Sequence, residues 1–409
     1  MSTEFVSHPD WPVRGVTPEE FPRVVDVYAE PMIVSAAEEL ESENAHPVAE
    51  HDRILVALDG DRMVGTAAAY TLETTMPGGP RTVAGITGVG VWPTHRRRGV
   101  LTSLMRRQLA DIHDRGEPLA LMWASEGAIY GRYGYGPAAL ELSAWIRGPY
   151  ATLGEDAHDD PDLTLELLPS EQARDALEHV HRAAAAHRLG HFRRGTSWWG
   201  RRLRSGATWA AVVTGPQGPL GYALYDSVNG WAEDGAHAEI KVKEVVATAP
   251  AAHVALYRHL FSRDLVSRIS FEALPVDDPL LYLISDRNRL VESPATSLRV
   301  RLVDVARALS ERPYAAPVDV TLAVTDRFAP WNQGRRHLRA DTDGAECRRT
   351  EAAPDLSLDV VHLGATYLGQ RSLTALVEAG AVQEHTPGAA ARLDLALHQP
   401  RAAFCGMVF

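Results

Sequence analysis

The chain has 409 residues, 45% hydrophobic and 23% charged, with 53 acidic side chains against 41 basic ones and a formal net charge of −12. That balance argues against nucleic acid as the main partner and suits a cationic ligand, although solubility alone would account for it. The composition is that of an ordinary globular protein, with room for about three domains at roughly 150 residues each.

Cys347 and Cys405 make neither a zinc motif nor a disulfide framework, and no metal site is expected. Residues 1–11 lack a basic end followed by an apolar core, so no signal peptide is read there. No stretch approaches ~18 consecutive apolar residues, so neither a transmembrane helix nor a membrane partner is expected. A reducing cytoplasm is the expected location.

In chain order, Thr17-Pro18-Glu19-Glu20 reads as a helix start: Pro favours the first helical position and acids favour the first turn. A second helical segment, residues 34–43, carries Glu38, Glu39, Glu41 and Glu43. Such a run is more often a solvated face than the wall of a polycation site. Residues 54–58 and 63–70 flank Asp59-Gly60-Asp61 as a hairpin. Met76-Pro77-Gly78-Gly79-Pro80 then interrupts the chain.

Residues 83–91 form a strand that stops at Trp92-Pro93. Thr94, His95, Arg96, Arg97, Arg98 and Gly99 follow, and then an amphipathic segment with apolar residues at Val100, Leu101, Leu104, Met105 and Leu109. Strand, basic loop and helix in this order aim unpaired N–H groups and the positive end of a helix dipole at one point, which suits a phosphate. Gly99 allows close backbone approach, and the arginines never lose their charge. Alone, such a turn is equally compatible with a solvated helix start. It is neither a Walker loop nor a dinucleotide Gly-x-Gly-x-x-Gly. Residues 119–123 are a further buried strand, and residues 138–146 are expected to close a first unit spanning 1–150.

A polar linker at 156–161 leads into a second unit, taken as 151–296. It carries a helix at 170–187, apolar runs at 209–213 and 220–225, a strand at 239–246 and a helix at 251–261. Setting Val246 against Val91 repeats the strand-turn-helix, but Ala251, Ala252, His253 and Val254 then stand where Arg96, Arg97, Arg98 and Gly99 would be. We read an internal repeat that keeps the fold without the phosphate chemistry. Trp198-Trp199, close to Arg193 and Arg194, read as packing or interface rather than a ligand cage. The character changes again for a third unit, 297–409. Residues 298–302 lead into a short helix at 303–309, and residues 318–326 alternate as a strand should. Residues 356–363 are apolar, 364–369 read as a turn, and 372–379 as a helix.

The pattern Arg96-x-x-Gly99-x-Leu101 resembles the coenzyme A pyrophosphate loop of GNAT N-acetyltransferases. The longer pattern V-x-P-T-H-R-R-R-G over residues 91–99, with A-S-E-G-x-I-Y-G-R-Y-G-Y-G over residues 124–136, resembles the Eis (enhanced intracellular survival) family of aminoglycoside N-acetyltransferases. The resemblance implies an α/β (α+β) architecture: tandem GNAT-like domains, the second degenerate, followed by a sterol-carrier-protein-like α/β domain that serves acetyl transfer rather than a sterol. It implies acetyl-CoA as co-substrate, an aminoglycoside as the cationic amine substrate, acetylation at several positions, and a homohexamer.

By the same resemblance, Arg96, Arg97, Arg98, Gly99, Val100, Leu101 and Ser125 hold the cofactor, and backbone N–H groups of Val89, Gly90 and Val91 face the thioester oxygen. Tyr130 is the general acid, with Tyr133 and Tyr135 as nearby rivals. Phe409 supplies its C-terminal carboxylate as general base; His95 is read as fixing local structure. Tyr133 stands where the family has Phe, and Gly88 and Trp92 differ in bulk from the expected neighbours of the substrate. A lysine side chain or a polyamine could replace the aminoglycoside, a longer acyl chain could replace acetyl, and an idle lipid-binding protein is the reading from another class.

Overall fold

The structure, a computed structural model, describes residues 10–204, 208–233, 235–341 and 343–409. Thr17 and Glu20 form a reciprocal capping box, as the Thr-Pro-Glu-Glu start requires. A 3-10 turn there runs into α1 (Phe21–Met32), and α2 (Ala36–Ala45) follows, capped by the Ser35 hydroxyl accepting from Glu38 N. Strands β1 (Val13–Gly15), β2 (Ile54–Asp59), β3 (Arg62–Met76) and β4 (Gly79–Val91) pair antiparallel. The expected break at 76–80 is a tight hairpin: Met76 pairs with Gly79 across Pro77-Gly78, and Gly78 and Gly79 take φ of +97° and +114°. Helix α3 (Val100–Asp114) buries Val100, Leu104, Met105 and Leu109, and then β5 (Leu119–Trp123) returns parallel to β4.

The elements that follow are α4 (Gly127–Tyr130), β6 (Gly136–Pro137), β7 (Leu140–Arg147), β8 (Thr164–Pro169), α5 (Arg174–Ala185), α6 (Thr196–Arg204), β9 (Trp209–Gly215) and β10 (Gly218–Val228). A small ribbon, β11 (Trp231–Ala232) with β12 (Gly235–Ala236), precedes β13 (Ala238–Ala247), α7 (Pro250–Phe261), β14 (Val266–Pro275), α8 (Leu280–Leu283), β15 (Val291–Thr296) and β16 (Leu298–Leu302). The chain ends with α9 (Val305–Ser310), β17 (Val318–Thr325), β18 (Gly334–Asp341), β19 (Gly344–Arg349), β20 (Leu356–Asp359), α10 (Val360–Thr366), α11 (Leu373–Glu378), β21 (Gln383–Glu384) and α12 (Ala389–Leu397).

Among the described residues the strand orders are β1-β2-β3-β4-β5-β16-β6, β15-β7-β14-β13-β10-β9-β8 and β19-β18-β17-β20-β21. The internal repeat is visible as geometry. β13 and β14 are parallel neighbours linked through α7, as β4 and β5 are through α3.

Two expectations need correction. β7 was expected to close the first unit, but it lies in the second sheet, antiparallel to β14. β16 was read with the third unit, but it lies in the first sheet, antiparallel to β5. The two GNAT-like sheets therefore exchange their closing strands. The alternation in β7, with Leu142, Ala144 and Ile146 buried, specifies a strand with one buried face. It carries no information about which sheet receives that face.

The reading of 364–369 as a turn also fails in its first half, because α10 runs to Thr366. Gly364 is needed for close approach rather than for a turn: a Cβ there would lie 2.2 Å from the Val300 carbonyl oxygen. Gly136 answers it on the other side, where a Cβ would lie 2.1 Å from the Val361 carbonyl oxygen. Helix α10 is thereby pressed onto β6 and β16. One apolar core runs from Leu121 and Val300 in the first sheet to Val320, Leu338 and Leu363 in the third unit.

Candidate active site

The site is assembled where β4 and β5 separate. Their pairing is limited to Ala84–Ile86 against Ala120–Met122 in register, and β4 then bulges at Gly88, whose φ is +55°. β5 pairs onward with β16 instead. The β4 backbone from Val89 to Val91 is thus turned to a widening gap.

The strand ends in a 3-10 turn at Pro93–His95, and the basic loop follows with Arg97 at φ +61° and Gly99 at φ +91°. Gly99 is the N-cap of α3 and offers no side-chain cap, so the first-turn N–H groups face outward without one. The loop is propped from behind. His95 Nε2 lies 3.0 Å from Asp59 Oδ2, and its ring meets Trp11 edge-on at 5.7 Å. His95 therefore fixes local structure, as expected.

A single cleft of about 1740 Å³ is lined by Val89, Gly90, Val91, Arg96, Arg97, Gly99, Val100, Leu101, Ser125, Tyr130 and Phe409. That volume exceeds a usual small-ligand pocket of roughly 300–1,000 Å³ and leaves room for two substrates. Arg98 is the exception among the basic-loop residues. Its guanidinium lies over the Trp11 ring at 5.1 Å, and its carbonyl accepts from Trp11 Nε1 at 2.8 Å. It contributes to the fold of the loop and is not part of the cleft wall.

Tyr130 ends the single turn α4. Burial first, then the neighbouring Tyr133 and Glu126, push its phenol up to about 12. The two rivals are placed differently. Tyr133 turns its hydroxyl toward Thr102 Oγ1 at 3.4 Å, and Tyr135 is fully buried, edge-on beneath Tyr130 at 6.4 Å.

Phe409 reaches the cleft from the far end of the chain. Its ring meets Phe192 edge-on at 5.9 Å; Phe192 meets Trp198 at 5.2 Å, and Trp198 meets Tyr70 at 5.0 Å. The tryptophan pair is thus divided. Trp199 is core, with Arg194 over its ring at 5.2 Å, whereas Trp198 is cleft wall. The acidic run on α2 is not simply a solvated face either. Glu41 pairs with Arg204 and Glu43 with Arg201, both on α6, while Glu39 accepts from the Tyr28 hydroxyl at 2.6 Å at the cleft. Tyr28 and Arg201 escaped the sequence reading, and Trp198 was read there as packing or interface, because α6 meets α2 and the cleft only in the folded chain. Arg327 and Phe328, which the third unit adds to the wall, escaped for the same reason.

GNAT acetyltransferase domain models match residues 12–138 and 190–302, and a sterol carrier protein domain model matches residues 305–406. A Streptomyces avermitilis protein described as an uncharacterized N-acetyltransferase is 43% identical over 83% of this chain and 85% of that one. The N-acetyltransferase Eis of Mycobacterium tuberculosis is 31% identical over 82% and 83% of the two chains. This chain belongs to the Eis-type N-acetyltransferases. The crystal structure of Eis1 from Mycobacterium abscessus covers 97% of this Eis-type chain and all of its own, at 32% identity and a TM-score of 0.83. A GNAT protein from Anabaena variabilis shares the fold at a TM-score of 0.84 with 17% identity. The Eis-type enzyme is an acyltransferase of two GNAT domains and a sterol-carrier-like domain, and GNAT domains draw on acetyl-CoA as donor. Among the described residues no helix is long and apolar enough to cross a membrane.

Proposed function

We propose that this Eis-type enzyme acetylates amines of aminoglycosides, at several positions, by direct attack of the amine on the acetyl-CoA thioester. The observation that carries the reading is the continuity of one cleft from the basic turn, past Tyr130, to Phe409. Arg96, Arg97 and the first turn of α3 bind the pyrophosphate, with Gly99 allowing close approach. Val100, Leu101 and Ser125 line the path of the cofactor, and Arg98 supports the loop through Trp11. Backbone N–H groups of Val89, Gly90 and Val91 stabilise charge on the thioester oxygen. Tyr130 donates a proton to the departing thiolate, a task its raised phenol supports at neutral pH.

An amine that arrives as ammonium must first lose a proton, and the Phe409 carboxylate takes it, directly or through a water. The Phe409 ring packs against the apolar cluster of Phe192, Trp198 and Met407, which supports a tucked-in terminus. Glu39 and Glu50 in the wall, together with the net charge of −12, favour a polycationic acceptor. The same reading takes the enzyme as a cytoplasmic homohexamer.

The test is thiol release from acetyl-CoA by the purified protein with several aminoglycosides, spermidine and a lysine peptide. Release with aminoglycosides, and products carrying more than one acetyl group, is the expected result. Release only with spermidine or the peptide moves the substrate, and no release with any amine overturns the reading.

A further inference from the structure

We propose that the third unit supplies part of the cofactor site itself, with Arg327 gripping the 3′-phosphate of coenzyme A and Phe328 facing its adenosine. This rests on the acetyl-CoA reading above. The loop between β17 and β18, residues 326–333, is fastened to the first sheet by a closed set of buried bonds. Arg301 on β16 donates from Nη2 to both Asp326 oxygens, at 2.8 and 2.7 Å, and the two side chains are 0% and 2% exposed. Asp326 Oδ1 also accepts from Phe328 N at 3.2 Å and Ala329 N at 3.1 Å. Asn332 Nδ2 donates to Asp326 Oδ2 at 2.9 Å and to the Val303 carbonyl at 3.0 Å. The conformation of this loop is therefore set by the strand that closes the first GNAT sheet.

That anchorage lies under the motif that carries Tyr130. A Cβ on Gly134 would sit 2.8 Å from Arg301 Nε, so the motif backbone rests on the guanidinium. The Phe328 ring meets Tyr133 edge-on at 4.9 Å, and Arg132 lies over the same Tyr133 ring at 5.8 Å. Tyr133 in turn reaches Thr102 in the first turn of α3. Phe328 thus joins the cleft wall near the first turn of α3, and Arg327 lines the same cleft.

The chemistry of the ligand asks for such groups. Coenzyme A carries a ribose 3′-phosphate and an adenine besides its pyrophosphate. The N-terminus of α3 with Arg96 and Arg97 answers the pyrophosphate. The 3′-phosphate calls for a further guanidinium, whose planar fork matches phosphate oxygens, and the adenine calls for an aromatic or apolar face. Arg327 is exposed and Phe328 half-buried, as the outer end of a long ligand requires.

Calorimetric binding of coenzyme A and of 3′-dephospho-coenzyme A to the full chain tests this. Arg327→Ala should raise Kd for coenzyme A roughly tenfold, the effect of one lost charge-assisted contact, and leave Kd for the dephospho form unchanged. A thermal midpoint equal to wild type checks that the exposed substitution leaves the fold intact. Equal weakening for both ligands, or weakening for neither, overturns the assignment. Wild-type protein that binds neither ligand overturns the acetyl-CoA reading and this assignment with it.

Discussion

Tyr130 is held at the end of one helical turn, and its acidity is set by burial before any charge acts on it. An ordinary phenol near ~10 is already protonated at neutral pH, and a folded value of about 12 defers its ionisation further. A step that needs protonated Tyr130 therefore keeps that group through neutral and mildly alkaline pH and loses it only as pH rises through about 12. Any alkaline fall of kcat below roughly pH 11 must come from another group. Tyr130→Phe should lower kcat by ~10²-fold or more while coenzyme A still binds with wild-type affinity. Unchanged turnover would remove the acid role, and lost cofactor affinity would recast the residue as part of the binding wall. Family resemblance singled out Tyr130, with Tyr133 and Tyr135 as nearby rivals; in the fold the two rivals are buried and Tyr130 is only partly so. The three arginines of the basic loop were equivalent as letters, until Trp11, 87 positions before Arg98, took one of them out of the cleft.

At the scale of elements, β4, its basic turn and α3 were legible because all of their chemistry is local: an apolar strand, a loop of fixed charge, and a helical stripe. The exchange of β7 and β16 was not legible, because a strand records which face it buries and not which edge it joins. The anchoring of loop 326–333 depends on that exchange, since its partner Arg301 sits on the exchanged strand. Removing one member of a buried pair leaves the other charge uncompensated, at a cost of about 3–5 kcal/mol. Asp326→Ala should lower stability by about that amount in a denaturant titration and weaken coenzyme A binding with it, since Arg301, the partner left unpaired, also supports Gly134 from below. A loss under about 1 kcal/mol would mean that the loop is held by something other than this pair.

At the scale of the whole molecule, the second unit, whose turn from β13 to α7 carries no arginine, touches the first unit and the end of the chain. Its segment 188–193 is pinned to β3, with Thr75 N donating to the His191 carbonyl and Gly190 N to the Thr75 carbonyl, both at 2.8 Å. The same segment holds the end of the chain. Phe404 N donates to the Leu189 carbonyl at 2.8 Å, and Arg188 Nη1 donates to the Ala402 carbonyl at 2.9 Å and to Asp277 Oδ1 at 2.7 Å. Asp277 Oδ2 accepts from Ala402 N at 2.9 Å, so one carboxylate fixes both the clamp and the tail. If the Phe409 carboxylate is the base, its placement depends on Asp277, which holds Ala402 seven residues before that end. Misplacing a reacting group by about 1 Å can cost on the order of 10²-fold in rate. Asp277→Ala should therefore lower kcat by roughly 10- to 10²-fold, with KM for acetyl-CoA and the thermal midpoint near wild type, because the cofactor half of the cleft is untouched. A short peptide extension after Phe409 should reproduce that kinetic pattern in the wild-type background. If the extended enzyme and Asp277→Ala both turn over at full rate, the proton leaves the amine by another route, and the clamp serves the fold alone.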